Sequence, residues 1–118
     1  MAPVVPERDY PSHDLTRVRE AVDDHRVVYT KKAIEGALDV GLDRSDIPAC
    51  LKTLKVEDFH KGMQHNIPGF EHIWLDIYLP RYKDKDLYVK FHEDTHGQPD
   101  RFVVRSFKRD TNGSSRAR

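Results

Sequence analysis

Residues 72–91 read HIWLDIYLPRYKDKDLYVKF, and this stretch decides the fold. From His72 to Leu79, Ile73, Leu75, Ile77 and Leu79 fall on one side, with Trp74, Asp76 and Tyr78 on the other. That is the period-2 alternation of a β-strand. Pro80 ends the run, since it has no N–H to give to a ladder. Leu87-Tyr88-Val89-Lys90-Phe91 alternates again. Downstream, Gly97-Gln98-Pro99-Asp100 reads as a turn and Phe102–Lys108 as a last strand. Upstream, Val56–Met63 reads as the first strand of the set. Gln64–Phe70, with Asn66, Pro68 and Gly69, reads as a loop.

Before Lys55 the period is near 3.6. Asp14 or Thr16 can cap a helix running to about Asp24, with Leu15, Val18 and Val22 on one face. Arg26-Val27-Val28-Tyr29 is a short β-branched strand. Thr30 is an N-cap for a helix carrying Ala33, Ile34, Ala37, Leu38 and Val40, and Gly41 stands where a C-terminal glycine belongs. Ser45 is read as the cap of a third helix, with Ile47, Cys50, Leu51 and Leu54 inward; Pro48 fits there because it falls in the first turn. Helices followed by strands predict an α+β fold, with N-terminal helices packed on a mostly antiparallel, C-terminal β-sheet. The expected organisation is a proline-rich, flexible arm over 1–13, one domain over 14–109 and a flexible tail over 110–118.

With 118 residues, the chain has material for one core and not two. A single cysteine, Cys50, cannot form an internal disulfide, and a reducing cytoplasm is the simplest setting. No apolar run is long enough for a membrane span or a signal-peptide core. Net charge is zero, yet residues 1–58 hold 9 basic and 12 acidic residues while 59–118 hold 11 and 8. A polyanion would therefore meet the second half.

His92-Glu93-Asp94-Thr95-His96 matches H-E-x-x-H. A zinc peptidase needs both histidines on one helical face. Here the motif follows an alternating strand and runs into Gly97 and Pro99, so it reads as a strand end and turn, and no metal is expected. His60, His65 and His72 are open to acid–base roles or to plain polar surface. Cys50 sits among apolar neighbours and reads as a buried small hydrophobe. Trp74 and Tyr78 share a face and are open to two uses, stacking bases or anchoring helices to the sheet. Lys61, Lys90, Arg105 and Lys108 interrupt segments that otherwise alternate into a core; with Tyr88 they are a candidate cationic face for a phosphodiester.

Four separated motifs resemble the MqsR family of toxins. They are Asp58-Phe59-His60-Lys61-Gly62-Met63, Ile73-Trp74-Leu75-Asp76-Ile77-Tyr78, Leu87-Tyr88-Val89-Lys90 and Ser106-Phe107-Lys108. Thr30, Ala33, Ala37 and Gly41-Leu42 resemble the helix that precedes them in the family, so the likeness spans about residues 14–110. The resemblance implies a RelE-like fold and a toxin of a type II toxin–antitoxin system. It implies ribosome-independent cleavage of mRNA without metal or other cofactor, and a cognate antitoxin as partner. Lys61, Tyr88 and Lys108 are the functional positions it carries over. Leu75 stands where the family has Gln, and a leucine side chain can make no hydrogen bond; a catalytically weakened RNA- or antitoxin-binding chain is the alternative this raises. His60 stands where the family has Tyr and adds a titratable group to the catalytic set. Lys90, Arg105, Trp74 and Arg81 are expected RNA-binding residues.

Overall fold

A computed structural model describes residues 6–65, 68–70, 72–94 and 101–111. The described residues form seven strands: β1 (Glu7–Arg8), β2 (Val27–Tyr29), β3 (Phe59–Gln64), β4 (Trp74–Tyr78), β5 (Arg81–Tyr82), β6 (Lys85–Glu93) and β7 (Phe102–Arg109). Three helices precede β3: α1 (Leu15–Asp23), α2 (Lys31–Asp39) and α3 (Asp46–Thr53). The sheet runs β1-β3-β4-β6-β7-β2, with β5 folded back on β6, and every pairing is antiparallel except β2 with β7. The predicted α+β class and the order of helices then sheet hold. Among the described residues, no helix is long and apolar enough to cross a membrane.

The helix signals act as the sequence indicates at two of three starts. Asp14 accepts from the Thr16 N–H and Thr30 from the Ala33 N–H, each satisfying an otherwise orphaned donor. Gly41 follows α2 with φ +80°, a conformation that costs glycine little. Ser45 makes no cap; its backbone N–H and hydroxyl both turn to the Asp43 carboxylate instead. Of the apolar residues that α2 carries, Leu38 is 58% exposed, because the helix buries the narrow stripe of Ala33 and Ala37. Val56–Asp58, expected as strand, forms a 3-10 turn, so β3 begins at Phe59.

The helices cover one face of the sheet. Leu15, Val18, Ala33, Ala37, Ile47, Cys50 and Leu51 pack there against Tyr78, Leu87, Val89, Phe91, Phe102, Val104 and Phe107. Tyr78 and Phe91 stack at 5.7 Å, and Phe102 meets Phe91 edge-on at 6.1 Å. Along β7, α2 takes over from β2. Strand β2 pairs only with Phe102–Val104. Beyond it Gly36 lies so close to β7 that a Cβ would stand 2.0 Å from the Phe107 carbonyl oxygen.

Within the arm expected over 1–13, Glu7, Arg8, Ser12 and His13 are tied to the sheet. Glu7 and Arg8 pair with Met63 and Gly62 of β3. Ser12 and His13 donate their backbone N–H groups to the buried Asp76 carboxylate at 2.9–3.0 Å. Asp110, placed at the start of the tail, is buried, and its N–H reaches the Asp86 carbonyl at 2.9 Å. Residues 1–5 and 112–118 lie outside the described residues.

Two bulges break the simple alternation. In β3, Phe59 pairs with Tyr78 and Lys61 with Ile77, so the register shifts at His60. Phe59 thus stays with the core while Lys61 turns to the other face. Opposite Lys90 and Phe91 of β6, β7 shifts at Arg105. Phe102, Val104 and Phe107 therefore all reach the core, and Lys108 emerges beside Tyr88 on the face without helices. Bulges re-aim side chains in this way, one extra residue at a time.

Candidate active site

The helix-free face has an aliphatic floor. Ile73, Leu75, Ile77, Leu79 and Val103 are all at most 9% exposed yet stand apart from the core under the helices. Long polar side chains lie over them, with apolar stems down and charged ends outward. One row crosses the sheet as Lys61–Ile77–Lys90–Ser106, each pair in register. With strands about 4.8 Å apart, Lys61 and Lys90 stand roughly 10 Å apart at their Cα atoms. In the adjoining row Tyr88 pairs with Lys108, whose Nζ lies 5.0 Å from the Tyr88 ring centre.

Lys90 and Arg105 border a cavity of about 360 Å³, together with Lys32, His65, Leu75 and Thr30. Lys32 comes from the first turn of α2, whose N-terminus borders this cavity. Burial and then the charges of Lys32, Lys108 and Arg105 push the Lys90 ammonium below its ordinary pKa. Such mutual repulsion is the signature of cations gathered without counter-charge. Among the described residues, Lys32, Lys90, Arg105 and Lys108 make no ion pair with a carboxylate. Burial and Asp110 raise the Tyr88 phenol, which stays protonated and able to donate at neutral pH.

Arg105 is held from below. Its Nε donates to His92 Nε2 at 3.0 Å, while His92 Nδ1 donates to the Glu93 carbonyl at 2.8 Å. Accepting at one nitrogen and donating at the other fixes a neutral ring, and burial followed by the repulsion of Arg105 and neighbouring histidines lowers its pKa. His92 and Glu93 belong to β6 rather than to a helix, and Glu93 pairs with Arg17. The helical presentation that a zinc peptidase needs is therefore not what these two residues adopt. Among the described residues no group of His, Cys, Asp and Glu is arranged to hold a metal ion; His96 and the expected turn at 97–100 lie outside them. Cys50 is buried under the helices with its thiol pushed up to about 12, chiefly by burial, as suits a packing residue.

Of the residues singled out from the sequence, Lys61, Tyr88, Lys90, Arg105 and Lys108 share this face. Lys61 is tethered at its edge by Glu7, 2.6 Å from its Nζ. His60 is the bulged, exposed residue and borders a groove at the sheet edge with Arg8, Tyr10, Trp74 and Lys61 itself, apart from the cavity of Lys90 and Arg105. Trp74 lies on the opposite face from Lys90, with the Arg8 guanidinium 3.4 Å above its ring centre. Tyr78, on the same side, is buried in the core under the helices and anchors them to the sheet, whereas Trp74 stays half-buried beneath Arg8. Arg81 stands on the β5 turn, paired with Asp86 at 2.8 Å, away from the cluster. His65, open to an acid–base role on the sequence, lines the cavity, and His92, read there as part of the H-E-x-x-H match, braces Arg105; Lys32 was missed. Lys32 carried no signal, because nothing in its helical spacing says which strand edge α2 will meet.

A family model described as motility quorum-sensing regulator, toxin of MqsA, matches residues 10–109. No curated protein matches the chain.

Proposed function

The chain belongs to this MqsR toxin family, which makes it a toxin of a toxin–antitoxin system with an antitoxin as partner, and we propose that its toxic activity is endoribonucleolytic cleavage of mRNA. The single observation that supports this reading is the cluster of Lys32, Arg105 and Lys108 around Lys90, with Tyr88 beside Lys108, its cations unpaired by carboxylates among the described residues and open on the helix-free face. A phosphodiester brings the negative charge such a cluster lacks.

In the proposed reaction the ribose 2′-hydroxyl attacks the adjacent 3′-phosphate. The bond to the 5′-oxygen of the next nucleotide breaks, leaving a 2′,3′-cyclic phosphate and a 5′-hydroxyl. Charge grows on the non-bridging oxygens as the fifth bond forms, and fixed cations aimed there lower the barrier. Lys108 and Arg105 supply that charge, and Tyr88 donates its phenol to the phosphate. Lys61 meets the substrate at the far edge once it exchanges Glu7 for a phosphate oxygen. His60, Trp74 and Arg81 are left out of the centre by their positions. Lysine and arginine provide the positive charge, so this scheme asks for no metal and no ribosome, and the cognate antitoxin is proposed to be a protein.

Leu75 favours a second reading. It is 6% exposed in the cavity wall and offers the substrate no hydrogen bond. A chain that binds RNA but turns it over slowly would gain rate on Leu75→Gln. The deciding experiment incubates purified protein with an RNA oligonucleotide in EDTA, beside the same oligonucleotide carrying 2′-deoxyribose throughout. Cleavage of the first alone, ending in cyclic phosphate, supports the proposal. Intact RNA at high enzyme, or equal cutting of both, refutes it. Binding should also weaken steeply with salt, as counterion release demands.

A further inference from the structure

Resting on the ribonuclease reading above, we infer that His65 is the catalytic base that takes the proton from the attacking 2′-hydroxyl. His65 follows β3 directly, and its backbone N–H donates to the Ile73 carbonyl at 2.9 Å. That bond carries the β3–β4 ladder one residue further and sets the imidazole in the wall of the cavity that Lys90 and Arg105 border. The ring is braced on two sides. The Phe70 ring centre lies 5.8 Å away, tilted, and that of His92 lies 6.4 Å away, near perpendicular.

The other groups of the cavity are unsuited to the task. His92 has both nitrogens engaged, one with Glu93 and one with Arg105; it positions the guanidinium. Leu75 is mute. Lysine ammonium groups at neutral pH can give a proton but not take one. His65 is faced by Arg105 from β7, Lys90 and His92 from β6, and, across the cavity, Lys32 from α2. Burial, then Arg105 and Lys90, hold its pKa below the ordinary 6.5. The ring is therefore neutral at pH 7, the form a base requires.

The proton balance closes with Lys90. His65 takes the 2′-hydroxyl proton as the O2′–P bond forms. The P–O5′ bond breaks, and the Lys90 ammonium, made more acidic by its surroundings, protonates the leaving oxygen. Solvent then returns a proton from His65 to Lys90.

The test compares wild type with His65→Asn, which keeps size and polarity but does not titrate. Cleavage is followed from pH 4.5 to 9, and melting temperature and binding of all-2′-deoxy substrate are read beside it. The expected result is a kcat lower by roughly 10²-fold or more, loss of the wild-type acid limb with its midpoint below 6.5, and little change in binding or melting. Added imidazole should restore part of the rate to His65→Gly, which a merely structural histidine would not allow. If wild type cuts RNA and His65→Asn keeps its rate and acid limb, the assignment is overturned while the ribonuclease reading stands. If wild type leaves RNA intact, that reading falls and this one with it.

Discussion

The two faces of the sheet are built from the same strands and differ in what covers them. On one, Phe91, Phe102, Phe107, Tyr78, Leu87 and Val89 interlock with three helices and carry the stability of the fold. On the other, a single layer of aliphatic side chains is roofed by the stems of lysines and arginines rather than by a second layer of structure. A face closed by helices can hold a core but no substrate. A face closed only by snorkelling cations is dry at its base and charged at its surface, and a polyanion can lie along it. The two bulges connect these roles, since each returns an aromatic to the core and sends the next lysine outward: Phe59 with Lys61, and Phe107 with Lys108.

The comparison is broken most forcefully on the covered face. Phe91→Ala should cost about 3–5 kcal/mol, the usual range for deleting a buried aromatic ring, read as a lowered denaturation midpoint. RNA cleavage per folded molecule should change far less. On the open face the effects should invert. Lys108→Ala should cut kcat by roughly 10²-fold, the scale of one lost charge-stabilising donor. Its melting temperature should stay near wild type, because an exposed surface lysine contributes little to stability. At the seam between the faces, Gly36→Ala would push α2 off the Phe107 carbonyl. Roughly 1–3 kcal/mol of stability should be lost to that overpacking, and cleavage should fall with it as Lys32 and Lys108 part. Arg81→Ala sharpens the contrast at the low end. Its exposed pair with Asp86 is worth about 0–1 kcal/mol, and cleavage should be untouched.

Much of the covered face was legible in the sequence. The caps at Asp14 and Thr30, the glycine after α2 and the alternation of β6 are local signals that tertiary packing left in place. The open face was legible as a set of basic residues, and the family motifs added Lys61, Tyr88 and Lys108. What alternation could not supply was the side on which they stand. A strict period of two puts Lys108 with Phe102 and Val104, and Lys61 with Phe59; only the bulges separate them. Strand β4 is ambiguous for a related reason. Both its sides are apolar, and nothing in Ile73, Leu75 and Ile77 against Trp74 and Tyr78 states that the aromatic side meets the helices. Strand β1 was hidden by prolines that read as a loose arm, because its ties run to Met63 and Gly62, and those of Ser12 and His13 after it to Asp76, all distant in sequence.

The most direct test of the division between faces is the rate of RNA cleavage by a double variant, Lys90→Met with Lys108→Met, measured beside its melting temperature. Methionine keeps an apolar stem over the aliphatic floor and removes the charge alone. The account predicts a melting temperature close to wild type and cleavage lost to background. A double variant that cuts RNA at the wild-type rate would contradict it.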